Sequence, residues 1–175
     1  MVTMTNSGYL KERLAEQRKK QAEEDCSFAI TDRKQTIEIE ILSYEYDTII
    51  LSDDNDDYVP DWLNIRLKYY DGTTCRQWDG RFLDAMDVAG IAGMLRSIRA
   101  GYVKEASSIR CTEYSLFMGT NDVGYTVRLR LHLDQMPGIS TGPKDINIVQ
   151  NLNAEELEQI CNKMSRITAI FPSRT

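Results

Sequence analysis

From Tyr125 to Leu133 every second residue is apolar (Tyr125, Val127, Leu129, Leu131, Leu133), and those between, Thr126, Arg128, Arg130 and His132, are polar. Successive side chains of a strand point to opposite faces, so this pattern describes a strand with one side in a core and one in water. A helix would scatter the same residues around its whole circumference. The rhythm returns at Ile37, Ile39 and Ile41, interleaved with Glu38 and Glu40, and again at Leu63, Ile65, Leu67 and Tyr69, interleaved with Asn64, Arg66 and Lys68. Strands with one wet face belong to an antiparallel sheet.

The intervening residues supply the connections. Asp71-Gly72 predicts a two-residue hairpin turn with Thr73 to Trp78 as the returning strand. Ser108 to Met118 reads as one further strand and Asp145 to Gln150 as a short one, separated from the Tyr125 strand by the proline- and glycine-containing loop Met136 to Lys144. Two stretches switch to helical spacing. Asp84 stands as N-cap before Val88, Ile91, Ala92, Leu95 and Ile98, and Gly101 is placed for a left-handed C-terminal cap. Gly90 and Gly93 weaken that helix, and a closely packed neighbouring backbone is the expected reason. In the last helix Asn153 and Glu156 make a capping box, Leu152 and Leu157 a hydrophobic staple, and Phe171-Pro172 a stop.

The predicted fold is therefore α+β, an antiparallel sheet of about six strands in βββαβββα order packed by two helices. Tyr9 to Asp25, rich in Lys, Glu, Gln and Ala, adds an N-terminal helix whose apolar spacing fades after two turns. Residues 1–35 read as a helical arm and 36–175 as a single domain. The expected core is Ile37, Ile39, Ile41, Leu63, Ile65, Leu67, Val88, Ile91, Leu95, Val127, Leu129, Leu131, Leu157, Ile160, Met164 and Ile167. The order repeats three strands and a helix, with one short echo, Asn64-Ile65-Arg66-Leu67 against Thr126-Val127-Arg128-Leu129.

Charge narrows the function classes. In 175 residues, 27 acids face 21 Lys and Arg, a formal charge of -6, which opposes binding to nucleic acid or an anionic membrane. The N-terminus lacks the apolar centre of a signal peptide, and no run reaches the length of a membrane span, so a cytoplasmic location is expected. Cys26, Cys75, Cys111 and Cys161 lie far apart with no C-x-x-C pair, against a zinc knuckle or redox motif. There is no phosphate-binding glycine loop and no nucleophile elbow. The single histidine, His132, sits on a polar strand face beside Arg128 and Arg130 with no evident carboxylate to orient it. No catalytic residue, metal ligand or cofactor is expected.

The segment from Glu45 to Asp61 (EYDTIILSDDNDDYVPD) holds seven acids and no basic residue. Asp53, Asn55 and Asp57 have the spacing of a calcium loop, but Tyr58 stands where glycine is required and Asn64 where the bidentate glutamate belongs. A solvated loop, a looser cation site and a docking patch for a basic partner remain. The docking reading selects Asp53, Asp54, Asp56 and Asp57 as contacts, with Trp62 as an aromatic anchor. The rivals are a divalent-metal-dependent enzyme using the same acids and a structural or adaptor subunit that self-assembles through Tyr9 to Asp25.

Asp61-Trp62-Leu63-x-Ile65, the helix Leu83 to Leu95, Glu113-x-x-Leu116, Val127-Arg128-Leu129-x-Leu131, and Leu157 to Phe171-Pro172-x-Arg174 together resemble the WapI-type immunity proteins of bacterial polymorphic toxin systems. The resemblance spans Thr36 to Arg174. It implies a non-catalytic cytoplasmic protein that binds and blocks a cognate protein toxin, and the acidic balance would suit a basic one.

Overall fold

A computed structural model describes residues 25–45, 61–103, 107–136 and 142–174. The helix predicted over Tyr9 to Asp25 lies outside them, Asp25 excepted. Within them are eight strands and two helices in two successive four-strand-and-helix units: β1 (Ser27–Thr31), β2 (Thr36–Tyr44), β3 (Leu63–Tyr70), β4 (Cys75–Gly80) and α1 (Ala85–Arg99), then β5 (Ser107–Arg110), β6 (Tyr114–Asn121), β7 (Gly124–His132), β8 (Asp145–Leu152) and α2 (Ala154–Ile170). Each unit's strands form an antiparallel meander in chain order. The α+β class stands, but the single six-stranded sheet is replaced by two four-stranded sheets.

Two departures account for the extra strands. β1 lies in the stretch assigned to the N-terminal arm. It pairs with β2 from Ser27 opposite Glu40 to Thr31 opposite Thr36, and buries Phe28 and Ile30. The expected strand Ser108 to Met118 is a hairpin instead: Cys111 N–H bonds to the Tyr114 carbonyl at 2.8 Å, folding β5 back on β6. The echo noted in the sequence falls on β3 and β7, the third strand of each unit.

The Asp71-Gly72 turn is also longer than expected. Tyr70 pairs with Cys75, so four residues form the loop. Gly72 alone has positive φ (94°), whereas the tightest two-residue turn needs it at both central positions. The Asp71 carboxylate holds the loop by accepting from the backbone N–H groups of Thr73 and Thr74 at 2.9 and 2.8 Å.

Both helices start as their sequences dictate. Asp84 accepts from the Asp87 N–H at 2.7 Å while Asp87 accepts from the Asp84 N–H at 3.1 Å, and Asn153 and Glu156 make the same reciprocal pair. At the end of α1, Gly101 with φ 74° directs its own N–H to Ile98 and that of Tyr102 to Ser97, satisfying two carbonyls the helix would leave bare.

The meanders share one apolar core. Fifteen of the sixteen expected core residues are buried, and Ile160 is partly so. The helices pack on each other; α1 also reaches β6 of the second unit, and α2 touches β1 as well as β7 and β8. The sheets meet edge to edge where the Thr31 N–H donates to the Gln150 side chain at 3.0 Å.

Gly93 departs from its sequence reading. A Cβ built there meets nothing within 4 Å, so close backbone packing is not its reason. Gly93→Ala is expected to stabilise the fold by about 0.5–1 kcal/mol, the helix-propensity difference, read as a higher urea midpoint at unchanged slope.

Asp87 also carries a sign that can be tested. Burial raises its carboxyl pKa above 3.8, against a smaller opposing effect of the Asp84 N–H. An acid raised on folding contributes stability that is complete below its unfolded pKa and is lost as pH climbs through the folded one. Relative to the parent protein, Asp87→Asn should therefore gain stability as pH rises from about 3.8 toward neutrality, measured by denaturation across that range.

Candidate docking site

The acidic segment leaves the fold at the end of β2 and returns at the start of β3. Tyr44 pairs with Leu63, and the Glu45 N–H bonds to the Trp62 carbonyl at 2.8 Å, so the chain closes into a neck. The four predicted contacts, Asp53, Asp54, Asp56 and Asp57, lie outside the described residues. Trp62 and both ends of the segment lie within them.

Two arginines hold the neck. On the outgoing side, Arg81 Nη1 lies 2.7 and 2.8 Å from the two carboxylate oxygens of Glu45, and the same guanidinium sits 5.5 Å from the centre of the Trp62 ring. On the returning side, the Asp61 carboxylate accepts from the backbone N–H of Arg174 at 2.9 Å, from its Nε at 2.8 Å, and from Nη2. Asp61, 5% exposed, is the single buried charged residue among those described. Arg174 in turn lies over the Tyr44 ring at 3.7 Å. Tyr44 donates its hydroxyl to the Pro172 carbonyl and meets the Phe171 ring edge-on at 5.4 Å. The residues after α2 are thereby strapped across the base of the acidic segment.

This corrects part of the electrostatic reading. The segment contains no counterion within itself, but its two outermost acids, Glu45 and Asp61, are matched by arginines remote in sequence. They belong to the framework, and charge available to a partner must come from the acids between them. Sequence reasoning missed Arg81 and Arg174 as neck residues because neither lies in the segment; Arg174 drew notice only as part of the pattern Phe171-Pro172-x-Arg174. Trp62 is half-buried and anchored through its backbone to Asp84. Its ring lies at the neck, beside the point where the segment emerges.

The polar groups elsewhere are arranged as follows. His132 has a carboxylate after all: its Nδ1 is 2.7 Å from Asp145, the residue directly opposite on β8, which also takes Arg130 at 3.0 Å. Hydrogen bonds from Arg130 and then His132 hold the Asp145 carboxyl below its ordinary pKa. Near the start of α1, Tyr114 is buried beside Asp87 and Cys111, and burial raises the pKa of its phenol. The Cys111 thiol, 3.9 Å from Asp87, is pushed up in pKa by burial, the reverse of what a nucleophilic thiolate needs. Among the described residues, no three His, Cys, Asp or Glu side chains are grouped to hold a metal ion, and no helix is long and apolar enough to cross a membrane.

Comparison with known proteins decides the family. The profile of the immunity protein WapI-like family matches residues 28–172, the interval from β1 through the end of α2. The chain belongs to the immunity protein WapI-like family. No curated protein matches it. The family match begins eight residues ahead of the resemblance read from the sequence, taking in β1, while Tyr9 to Asp25 stays outside it.

The neck arginines should differ in what they contribute. Arg174→Ala takes the guanidinium away from the buried Asp61 carboxylate, leaving it the backbone N–H of residue 174, and is expected to cost about 3–5 kcal/mol. Arg81→Ala breaks a pair whose arginine is 38% exposed and should cost about 1 kcal/mol or less. Thermal or chemical denaturation of the two variants side by side checks the ranking.

Proposed function

We propose that this protein neutralises a bacterial toxin by binding it, without chemistry of its own, and that the toxin presents a basic surface to the acidic segment between Glu45 and Asp61. Membership of an immunity protein family supports the first part. The second rests on the neck: the fold uses the two end carboxylates and closes the base firmly, while Asp47, Asp53, Asp54, Asp56 and Asp57 follow one another in a stretch without a single basic residue. Such a concentration of one sign accelerates encounter with a partner of the other sign and suppresses wrong partners. Trp62, at the foot of the segment, supplies the flat apolar contact that long-range attraction lacks. The proposed place of neutralisation is the cytoplasm.

The decisive reagent is a cognate toxin, to be sought among the reading frames beside this gene. Co-expression should rescue growth, and the purified pair should form a complex. Converting Asp53, Asp54, Asp56 and Asp57 together to lysine should slow association by at least about tenfold at low salt, with the melting temperature nearly unchanged. Trp62→Ala should act mainly by speeding dissociation. Unaltered association of the lysine variant would remove the acidic segment from the interface, and failure of the parent protein to bind or protect would remove the immunity reading itself.

A further inference from the structure

The outer faces of the two sheets are built on opposite electrostatic plans. On the first, each basic group of β3 is bridged to a neighbouring strand: Lys68 lies 2.6 Å from Glu38 and 3.7 Å from Glu40, and Arg66 lies 2.9 Å from Asp79 and 3.8 Å from Glu40. Both basic groups of that strand are thus already engaged. On the second sheet the central rung runs Phe117, Arg128, Val149 across β6, β7 and β8, and the rungs beside it run Ser115, Arg130, Asn147 and Gly119, Thr126, Asn151. No carboxylate stands on any of them. The acid at the next position, Asp145, is already shared by Arg130 and His132.

Arg128 is thus left with a ring in place of an acid. Its guanidinium lies 5.6 Å from the centre of the Phe117 ring, and it has no ion pair among the described residues. A guanidinium resting on an aromatic face keeps its N–H edges free in the fork that fits a carboxylate. Beside it Val149 is 37% exposed, an apolar side chain facing water on the edge strand of this sheet. Arginine, an aromatic ring and an uncovered apolar side chain at the centre of a flat surface are what interface hot spots are made of.

We infer that the outer face of β6, β7 and β8 is a second docking surface, which takes an acidic segment of a partner protein. A carboxylate of that segment meets Arg128, and an apolar neighbour covers Val149 and Phe117. Protein is favoured over nucleic acid because the guanidinium stands beside an exposed apolar side chain, Val149, which an apolar residue of a peptide can cover and a sugar-phosphate backbone cannot. Its preferred charge is opposite to that of the acidic segment, so the inference stands apart from the toxin-docking proposal.

The test uses the full chain with labelled arginine and valine, followed by NMR at low ionic strength, where screening is weak. The probe is an oligoglutamate peptide carrying one leucine, and an oligothymidylate of equal charge is the comparison. The peptide should shift the Arg128 and Arg130 side-chain signals and the Val149 methyls in a saturable way, leave Arg66 in place, and lose these shifts in Arg128→Gln. Absence of shifts, their persistence in that variant, or equal shifts with the oligonucleotide would each overturn the inference. None of these results bears on toxin association through the acidic segment, which the lysine variant reports separately.

Discussion

Neither meander can bury its own apolar face, and the organisation of the molecule follows from that. A four-stranded sheet with one apolar side needs a cover, and the chain supplies two helices that serve both sheets: α1 follows the first meander yet reaches β6 of the second, while α2 reaches back to β1. The units are therefore interlocked through a common interior, and the apolar residues of both belong to one cluster. Removing water from that shared interior is the dominant favourable contribution to folding, at roughly 25 cal/mol per Å² of apolar surface. The outer faces are freed to carry charge.

The distribution of charge then becomes informative. On the first sheet acids and bases alternate across the strands and satisfy one another. Exposed pairs of this kind contribute little stability, about 0–1 kcal/mol each, but they remove electrostatic features a partner could read. The neck of the acidic segment uses arginine differently, as a fastening. Arg81 fixes Glu45 and Trp62 together; Arg174 is folded between Asp61 and Tyr44, and its backbone contributes as well as its side chain. The mouth of the segment is thereby part of the rigid framework, whatever surface it presents beyond.

Much of this was legible in the residues themselves. The alternation over Gly124 to Asp134 named its strand and its buried face, although the chain leaves the strand at His132 and Leu133 to Gln135 form a short 3-10 helix. The two capped helices were equally plain, since Asp84, Gly101, Asn153 and Glu156 act on backbone only a few residues away. β1 escaped notice because Ser27 to Thr31 is short and has just Phe28 and Ile30 to show. The break at Cys111 to Glu113 is not marked by glycine or proline, so two strands read as one. Periodicity identifies strands but carries no label for the sheet they join, and eight strands in two sheets look like six in one. The neck was invisible for a related reason: the counterions of Glu45 and Asp61 are brought in by the fold, and His132 finds Asp145 only across a strand pair.

The fastening of Asp61 has a consequence in time. Its arginine lies 113 positions further along the chain. A nascent polypeptide emerging at about 5–20 residues per second exposes this carboxylate for several seconds before its counterion is even synthesised. Until then the carboxylate has no guanidinium to meet. The acidic segment thus acquires its finished base only after the second half of the molecule is in place.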